Sequence, residues 1–384
     1  MKYEKALRHI AQYWNELLVF SPEDKGIHIG LPHHFIKPNA DAFNDDQFYW
    51  DTFFISVGLL TDDTHLELVK GMIDNFRYLQ QRFDIIPARN KFYNLGISQP
   101  PFLSTLVRLV HEKTHDLVWL TEQLPVLERE LKDYWMGTGV SAHLLESGLS
   151  RYCDHNITHQ TAEHESGWDM TSRFDRRCLD FTPIDLNSCL YKYEMDLSFF
   201  YHTLGRVKKA TEYEQKALFR KEQINTQCWN EEEGFFFDYD HIHQEKGTRF
   251  SLAGFFPLWA GLASEEQAHR MVDHLTRFEY EGGLVTTDEQ DLDPFTQWDY
   301  PNGWPNLQWI VIKGLKRYHF LDDAKRIAGK WLELNNQLFE ETGAFWEKYD
   351  VVDLAIGKSG RYPTQKGFGW TNGVFVALYK EFFE

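Results

Sequence analysis

Residues 297–305 read Gln297-Trp298-Asp299-Tyr300-Pro301-Asn302-Gly303-Trp304-Pro305. Two prolines and three aromatic residues within nine positions fit neither a helix nor a strand. We interpret this stretch as a rigid aromatic loop in which Gln297 and Asp299 point towards the hydroxyl groups of a ligand. A helical pattern over 305–318 follows it directly, so this loop stands at the start of a helix.

Helical periodicity dominates the rest of the chain. Apolar residues at the i, i+3, i+4, i+7 spacing predict about twelve helices, near 2–20, 49–61, 64–82, 100–114, 117–136, 186–204, 208–228, 252–262, 264–277, 305–318, 321–337 and 369–382. Thr64 and Ser264 have the sequence of helix caps, and 234–250 favours a short hairpin. Alternately short and long connections predict an all-α fold, an (α/α)6 toroid of six helical hairpins, whose long loops meet at one mouth.

Composition limits the classes of partner. No Pro-, Ser- or Gly-rich linker divides the chain, so we expect a single catalytic domain over residues 1–384. The net charge of −18 argues against nucleic acid and anionic membranes as partners. A small carbohydrate is the expected partner, with a monomer or a weak homo-oligomer as the assembly.

The N-terminus and the cysteines indicate the compartment. The first residues enter an amphipathic pattern without a signal-peptide core, and no apolar run reaches about 18 residues. Four cysteines without a CxxC pair are typical of reduced thiols. A cytoplasmic protein is therefore expected, although the mature form of a secreted protein would have the same sequence features.

Four segments place a carboxylate beside tryptophan or tyrosine. They are Trp50-Asp51, 165–169 (Glu-Ser-Gly-Trp-Asp), 297–305 and 346–350 (Trp-Glu-Lys-Tyr-Asp). A sugar ring packs its carbons on an aromatic face while polar groups bind its hydroxyls. Cleavage of a glycosidic bond also needs two carboxyl groups, one on each side. With 13 Trp, 18 Tyr and 30 Phe, the chain is richer in aromatic residues than core packing alone requires.

Asp169 and Glu347 are the candidates for those two carboxyl groups. Gly167 permits close approach of the backbone to a ligand, and Trp168 lowers the local dielectric, which raises the pKa of a neighbouring acid. The alternative for Asp169 is a helix N-cap beside a core tryptophan. Glu347 could act as a base, or it could be a surface charge paired with Lys348. Asp51 opens a helix and could simply interact with the helix dipole.

Neither a metal nor a cofactor is expected. His33-His34 and His241-Ile242-His243 lack a third ligand at metal spacing. Residues 357–360 (Gly-Lys-Ser-Gly) lack the frame of a phosphate-binding loop, and Ser166 lacks that of a nucleophile elbow.

Taken together, these segments resemble those of trehalases, which are glycosidases with an (α/α)6 barrel. The matching segments are 48–51 (Phe-Tyr-Trp-Asp), 98–101 (Ser-Gln-Pro-Pro), 166–169, 183–187 (Pro-Ile-Asp-Leu-Asn), 297–304, 347–349 and 367–373 (Gly-Phe-Gly-Trp-Thr-Asn-Gly). They occur in the order of the family and span residues ~40 to 384. The string at 297–304 is highly specific.

The resemblance implies roles for individual residues. Asp169 would be the general acid and Glu347 the base of an inverting single displacement, with the carboxyl groups roughly 6.5–9.5 Å apart. The substrate-binding residues would be Trp50, Asp51, Ser98, Gln99, Gly167, Trp168, Gln297, Trp298, Asp299, Trp304, Arg361 and Trp370.

Several charged positions of the family pattern differ here. Residues 39–50 contain no arginine where the family has an Arg-Phe pair, Ala88 replaces an asparagine, Ile97 replaces an arginine, and an Arg-Pro-Glu-Ser segment before the acid has no counterpart. Arg361 stands where the family lid carries a glutamate. These changes remove most of the charged contacts that are specific to trehalose.

Several functions remain compatible with this pattern. The first is a hydrolase of trehalose or a related small α-linked glucoside. The second is a hydrolase of an α-glycoside with an acidic aglycone, of the glucosyl- or mannosylglycerate type, whose carboxylate would meet Arg361 and Lys358. A sugar-binding relative without turnover would not need both Asp169 and Glu347, and a phosphorolytic enzyme would not need Glu347 as a base.

Overall fold

The computed structural model describes residues 2–43, 45–137, 142–289 and 295–384. The helices in this part of the chain are α1 (Glu4–Leu17), α2 (Tyr49–Leu59), α3 (Leu66–Phe83), α4 (Leu103–Thr114), α5 (Leu117–Arg129), α6 (His159–Glu165), α7 (Ile184–Thr203), α8 (Val207–Gln227), α9 (Phe256–Ala260), α10 (Glu265–Asp273), α11 (Pro305–Arg317), α12 (Leu321–Thr342) and α13 (Gly369–Phe382). All of them except α6 correspond to the predicted stripes. The short helix α6 lies between the stripes at 117–136 and 186–204, where the sequence predicts no helix.

Six of these helices form an inner ring. The ring order is α2, α4, α7, α9, α11 and α13, and α13 packs against α2 to close it. Each inner helix is preceded in the chain by one helix of an outer layer. The outer helices are α1, α3, α5, α8, α10 and α12. The sequence explains the two layers: every residue of α2 is buried, whereas α1 buries only one stripe of apolar side chains. The predicted (α/α)6 barrel is confirmed.

The closure between α2 and α13 depends on two glycines. A Cβ on Gly58 would lie 2.5 Å from the Cα of Gly373, and a Cβ on Gly373 would lie 2.2 Å from the carbonyl oxygen of Phe54. Larger residues at these two positions would force the helices apart.

Long and short connections alternate as predicted. Each inner helix begins after a long segment, such as 84–102 before α4 or 343–368 before α13, and the first five are followed by a short turn, such as 60–65 after α2. The N-termini of the inner helices and the long segments therefore share one mouth of the barrel. Ser264 forms the predicted capping box with Gln267. The cap predicted at Thr64 is wrong, because α3 begins after His65 without a side-chain cap.

Short strands stiffen the long segments. They are β1 (Leu18–Val19), β2 (Phe35–Ile36), β3 (Phe181–Thr182), β4 (Trp229–Asn230), β5 (Phe235–Phe236), β6 (Tyr239–Asp240), β7 (Glu245–Lys246), β8 (Glu279–Tyr280), β9 (Gly283–Leu284), β10 (Asn302–Gly303), β11 (Tyr349–Asp350) and β12 (Ala355–Ile356). Antiparallel β6 and β7 confirm the hairpin expected within 234–250. The sheet β10-β11-β12 pairs Gly303 with Tyr349, so it fixes the 297–305 loop beside the segment that carries Glu347.

Two further expectations concern thiols and membranes. All four cysteines are buried and free, which confirms the prediction of reduced thiols. Within the described ranges, none of the helices combines the length and the apolar character that a bilayer crossing requires.

Candidate active site

A cavity of about 550 Å³ opens among the long segments at the N-termini of the inner helices. Nine of the predicted site residues line it: Trp50, Asp51, Gln99, Gly167, Asp169, Trp298, Glu347, Arg361 and Trp370. These residues come from segments up to 320 positions apart, from Trp50 to Trp370. The toroid brings them together because every inner helix presents its N-terminus to the same mouth.

The other five predicted residues lie outside the lining: Ser98, Trp168, Gln297, Asp299 and Trp304. The hydroxyl of Ser98 donates a hydrogen bond to the carbonyl oxygen of Ile86 at 2.8 Å. The structure therefore places Ser98 in the loop framework.

Gln297 and Asp299, which are expected to bind hydroxyl groups of a ligand, lie behind the lining of the cavity and contact the loop of Asp169. The Gln297 amide donates to the carbonyl oxygen of Asp169 at 2.7 Å. The Asp299 carboxylate accepts the Thr171 hydroxyl at 2.8 Å and the Ser172 N–H at 2.9 Å. Both side chains hold the loop that carries Asp169, which is a physical reason for their presence in the 297–305 string.

Five tryptophans form the floor and its support. Trp298 stacks on Trp304 with ring centroids 3.7 Å apart, and it lies 5.6 Å from both Trp50 and Trp168. Trp370 packs edge-on against this stack. Trp50, Trp298 and Trp370 reach the cavity, whereas Trp168 and Trp304 are fully buried behind them. An aromatic floor of this kind can carry the apolar face of a sugar ring.

Asp169 lies where water is scarce but a ligand can reach it. Its side chain is 25% exposed, and its Oδ2 accepts a hydrogen bond from Nη1 of Arg361 at 3.1 Å. Burial raises the pKa of Asp169 to about 7; the Arg361 guanidinium opposes this shift and the Glu347 carboxylate adds to it. Asp169 caps no helix, because Thr171 caps the next turn. The helix-cap alternative for Asp169 is therefore wrong.

Arg361 also contacts His164. Its Nη1 lies 2.6 Å from Nε2 of His164. Burial, together with the nearby guanidinium, lowers the pKa of His164 to about 4. This imidazole is therefore neutral at pH 7 and accepts the hydrogen bond from Arg361.

Glu347 lies in a different environment from that of Asp169. Only 2% of the residue is exposed, which excludes the alternative of a surface charge. Its Oε2 accepts from the buried Lys348 ammonium at 2.9 Å, and its Oε1 accepts from the Tyr362 hydroxyl at 3.0 Å. The indole of Trp370 donates to its backbone carbonyl at 3.0 Å. A positive charge and an O–H donor thus hold this carboxylate at the wall of the cavity.

Asp51 and Gln99 complete the polar lining of the floor. Burial, together with the Glu347 carboxylate, raises the pKa of Asp51 to about 8, so Asp51 is protonated at neutral pH. The Gln99 side-chain oxygen accepts the N–H of Trp50 at 3.2 Å. At neutral pH the Asp51 carboxyl can therefore donate a hydrogen bond to a ligand.

Sequence reasoning missed several residues of the lining. Arg89 enters from the segment before α4 and lies over the ring of Phe48, 5.1 Å from its centroid. Asn94, Tyr362 and Gln365 also line the cavity. Tyr362 is adjacent to Arg361 in the lid and could have been found there. Arg89 has no comparable signal, because its segment departs from the family pattern.

One group of side chains has the composition of a metal site. Ligand atoms of Asp240, His243 and Glu245 lie within 4.8 Å of one another. The spacing of the histidines around His243 does not predict that the carboxylates of Asp240 and Glu245 lie beside it. However, Asp240 Oδ2 already accepts from Nη2 of Arg177 at 2.7 Å, so this carboxylate is engaged in an ion pair.

The barrel and its acid-lined, tryptophan-floored cavity define an (α/α)6 glycoside hydrolase. A sequence profile described as Trehalase matches residues 3–165 and 154–382, and the chain belongs to this family.

Solved structures share the fold across nearly the whole chain. Neutral trehalase from Saccharomyces cerevisiae has a TM-score of 0.87 at 24% identity, covering 99% of this chain and 94% of that one. The GH63 mannosylglycerate hydrolase from Thermus thermophilus, solved with Tris and D-glycerate, has a TM-score of 0.73 at 20% identity, covering 96% and 98%. At these identities the likeness establishes the fold.

Proposed function

We propose that this chain cleaves a small α-linked glucoside, trehalose or a related α-glycoside, with inversion at the anomeric carbon. Asp169 acts as the general acid and Glu347 as the general base. The observation that carries the proposal is that one cavity holds two carboxyl groups with different surroundings. Burial raises the pKa of Asp169 to about 7 although Arg361 contacts it, whereas the two oxygens of Glu347 accept from an ammonium and a hydroxyl. Acid and base roles are divided in this way in other glycosidases.

The acid step takes place at Asp169. Its protonated carboxyl donates a proton to the glycosidic oxygen while the bond between that oxygen and the anomeric carbon breaks. The aglycone leaves as a neutral alcohol, and Asp169 becomes a carboxylate. Arg361, which already contacts Oδ2, stabilises the new negative charge.

The base step takes place at Glu347. Its carboxylate accepts a proton from a water molecule as the water oxygen forms a bond to the anomeric carbon on the face opposite the leaving group. Lys348 and Tyr362 hold the two oxygens of Glu347 and so fix the direction of attack. The sugar is released with inverted configuration.

Paired variants test the two roles. Asp169→Asn and Glu347→Gln should each reduce kcat by about 10²–10⁴-fold, because each removes one proton transfer. Asp353→Asn, which changes an exposed carboxylate, should retain full activity and is the matched control. Turnover would be measured on a panel of α-linked disaccharides. Wild-type rates for either variant on a substrate with a poor leaving group would remove that residue from its role.

A second candidate substrate is an α-glycoside with a carboxylate in its aglycone. Two cations, Arg89 and Arg361, line the cavity, and Arg361 stands where the family pattern has a glutamate. The Thermus thermophilus hydrolase with the same fold was solved with D-glycerate, a small carboxylate. A guanidinium binds a carboxylate in a bidentate manner, which favours such an aglycone.

Kinetics on two substrates distinguish these possibilities. If the aglycone is anionic, kcat/KM on a glucosyl- or mannosylglycerate should exceed that on trehalose. Arg89→Gln should then reduce this ratio without removing a partner of Asp169. A preference for trehalose in the wild type, with no change of the ratio in Arg89→Gln, would reject the anionic aglycone and leave the hydrolase assignment intact.

A further inference from the structure

A second cavity, of about 800 Å³, lies at the other end of the barrel. The last turns of α2, α11 and α13 line it, together with the second half of α4. These helices run in parallel from the active-site mouth. The 11 residues of α2 span about 16 Å. The second cavity is therefore separate from the one that holds Asp169 and Glu347.

The lining of this cavity is strongly basic. Seven cationic side chains and two carboxylates line it, in a chain whose net charge is −18. Three of the cations, Lys313, Lys316 and Arg317, lie on α11, and the others lie on α4, α7 and α13. Since acidic residues outnumber basic ones in the chain as a whole, a local reversal of this size requires a physical explanation.

Most of the lining cations have a carboxylate partner, and two carboxylates are shared. Asp196 pairs with both Arg108, at 3.0 Å, and Lys192, at 2.5 Å, and Glu381 pairs with both Lys313, at 2.6 Å, and Lys316. Separate partners are Glu112 for Arg108, Asp63 for Lys113 and Glu384 for Lys380. Among the described residues, no carboxylate lies within ion-pairing distance of Arg317. Five carboxylates therefore face seven cations, and the cavity retains a small excess of positive charge after its ion pairs have formed.

The dipoles of the inner helices account for only part of this pattern. Cations at helix C-termini are favourable, and Lys316 and Arg317 occupy the last turn of α11. Lys192 lies in the middle of α7 and is 7% exposed. Burial lowers the pKa of Lys192, and Arg108 and Arg317 lower it further against the opposing effect of Asp196. Asp196 neutralises this buried lysine, so the excess positive charge of the cavity lies with Arg317 and with Lys313 and Lys316, which share Glu381.

We propose that this cavity binds a small phosphate-bearing anion, with Arg317 and Lys316 among its ligands. A phosphate group carries a charge of about −1.5 to −2 near neutral pH and has three acceptor oxygens, which suit a cluster of ammonium and guanidinium donors. The indole rings of Trp259 and Trp309 also line the cavity and offer apolar surface to the body of such a ligand. A sugar phosphate uses both features, whereas inorganic phosphate and pyrophosphate use only the cations.

Calorimetric titration of the full chain tests this proposal. The probes are glucose 6-phosphate, pyrophosphate, inorganic phosphate and glucose, each titrated at low salt and at about 0.15 M salt. Saturable binding of at least one phosphate probe at a single site is expected, and it should weaken as salt rises. Binding of glucose reports on the active-site mouth. Comparison of the three phosphate probes shows whether the ligand is a sugar phosphate or a simple phosphate.

Two charge-reversal variants locate the site. Arg317→Glu should raise the Kd of the bound phosphate probe by about tenfold or more, because it replaces a donor by a carboxylate. Lys208→Glu changes the net charge equally at an exposed position of α8 and should leave the Kd nearly unchanged. Turnover of the glycoside should be unaffected in both variants. Absence of saturable phosphate binding, or equal weakening by the two variants, would overturn the proposal.

Discussion

At the scale of single residues, the contact between Asp169 and Arg361 affects the proposed acid directly. The Arg361 guanidinium contacts the carboxyl group that we propose as the proton donor, and it opposes the effect of burial on the Asp169 pKa. A general acid is active only while it is protonated. Activity that depends on Asp169 is therefore expected below its folded pKa and should be lost as the pH rises through about 7.

Removal of Arg361 should change the pH at which activity is lost on the alkaline side of the pH profile. Arg361→Gln removes the charge that lowers the pKa of Asp169, so the alkaline limb of kcat/KM should shift to higher pH. Lys358→Gln is the control, because Lys358 belongs to the same lid but pairs with Asp350 and Asp353 outside the cavity. The measurement is kcat/KM of the wild type and both variants as a function of pH around neutrality. A limb that stays in place, or moves to lower pH, in Arg361→Gln contradicts the role assigned to Asp169.

At the scale of structural elements, the loop that carries Asp169 is held tightly against α2. Gly167 adopts φ +76°, and a Cβ at this position would lie 2.5 Å from Cζ2 of Trp50. Asp299 and Gln297 hold the same loop from the opposite side. The position of the proposed acid therefore depends on contacts from two distant segments.

Gly167→Ala should affect stability and activity together. The left-handed backbone alone costs roughly 1–2 kcal/mol, and the contact with Trp50 should add roughly 1–3 kcal/mol of overpacking. Gly205→Ala is a matched control, because Gly205 has φ +70° but no atom within 4 Å of the added Cβ. Urea unfolding should show the larger loss for Gly167→Ala, and only this variant should lose turnover. Equal losses would show that the Trp50 contact is unimportant.

At the scale of the whole molecule, the buried acids of the cavity make the stability of the fold depend on pH. Asp51 has a pKa of about 8 in the folded state, whereas an unfolded aspartate titrates near about 4. Between these values the folded state holds a proton that the unfolded state releases. The contribution of Asp51 to stability therefore falls as the pH rises from about 4 to about 8.

Asp51→Asn should flatten this dependence. The amide cannot ionise, so the Tm of the variant should fall less than that of the wild type between about pH 5 and about pH 8. Asp353→Asn, at an exposed site, should follow the wild type. Thermal unfolding followed by circular dichroism over this range is the measurement. A pH dependence of Tm in Asp51→Asn equal to that of the wild type would show that Asp51 is not protonated in the folded state.

The architecture could be predicted from the sequence because its signals are local. The 3.6-residue period identifies the helices of the ring, and the alternation of long and short connections places their N-termini at one mouth. The cavity positions of Asp169 and Glu347 follow once that mouth exists. The partners of Gln297 and Asp299, the entry of Arg89 into the cavity and the basic cavity around Arg317 all depend on contacts between distant segments. Spacing along one chain does not encode those contacts.

The anomeric configuration of the first product tests the central claim most directly. Proton NMR within the first minutes of hydrolysis of an α-linked substrate separates the two anomers before mutarotation mixes them. Because Glu347 is proposed to direct water to the face opposite the leaving group, we expect the sugar that water attacks to appear first as the β-anomer. An α-glycoside with a non-sugar aglycone should therefore release only the β-anomer at first, whereas trehalose should release equal amounts of α- and β-glucose, because its leaving glucose keeps the α configuration. Initial release of the α-anomer alone from either substrate would contradict the inverting mechanism, because retention requires a covalent intermediate on a nucleophile and not a base that activates water.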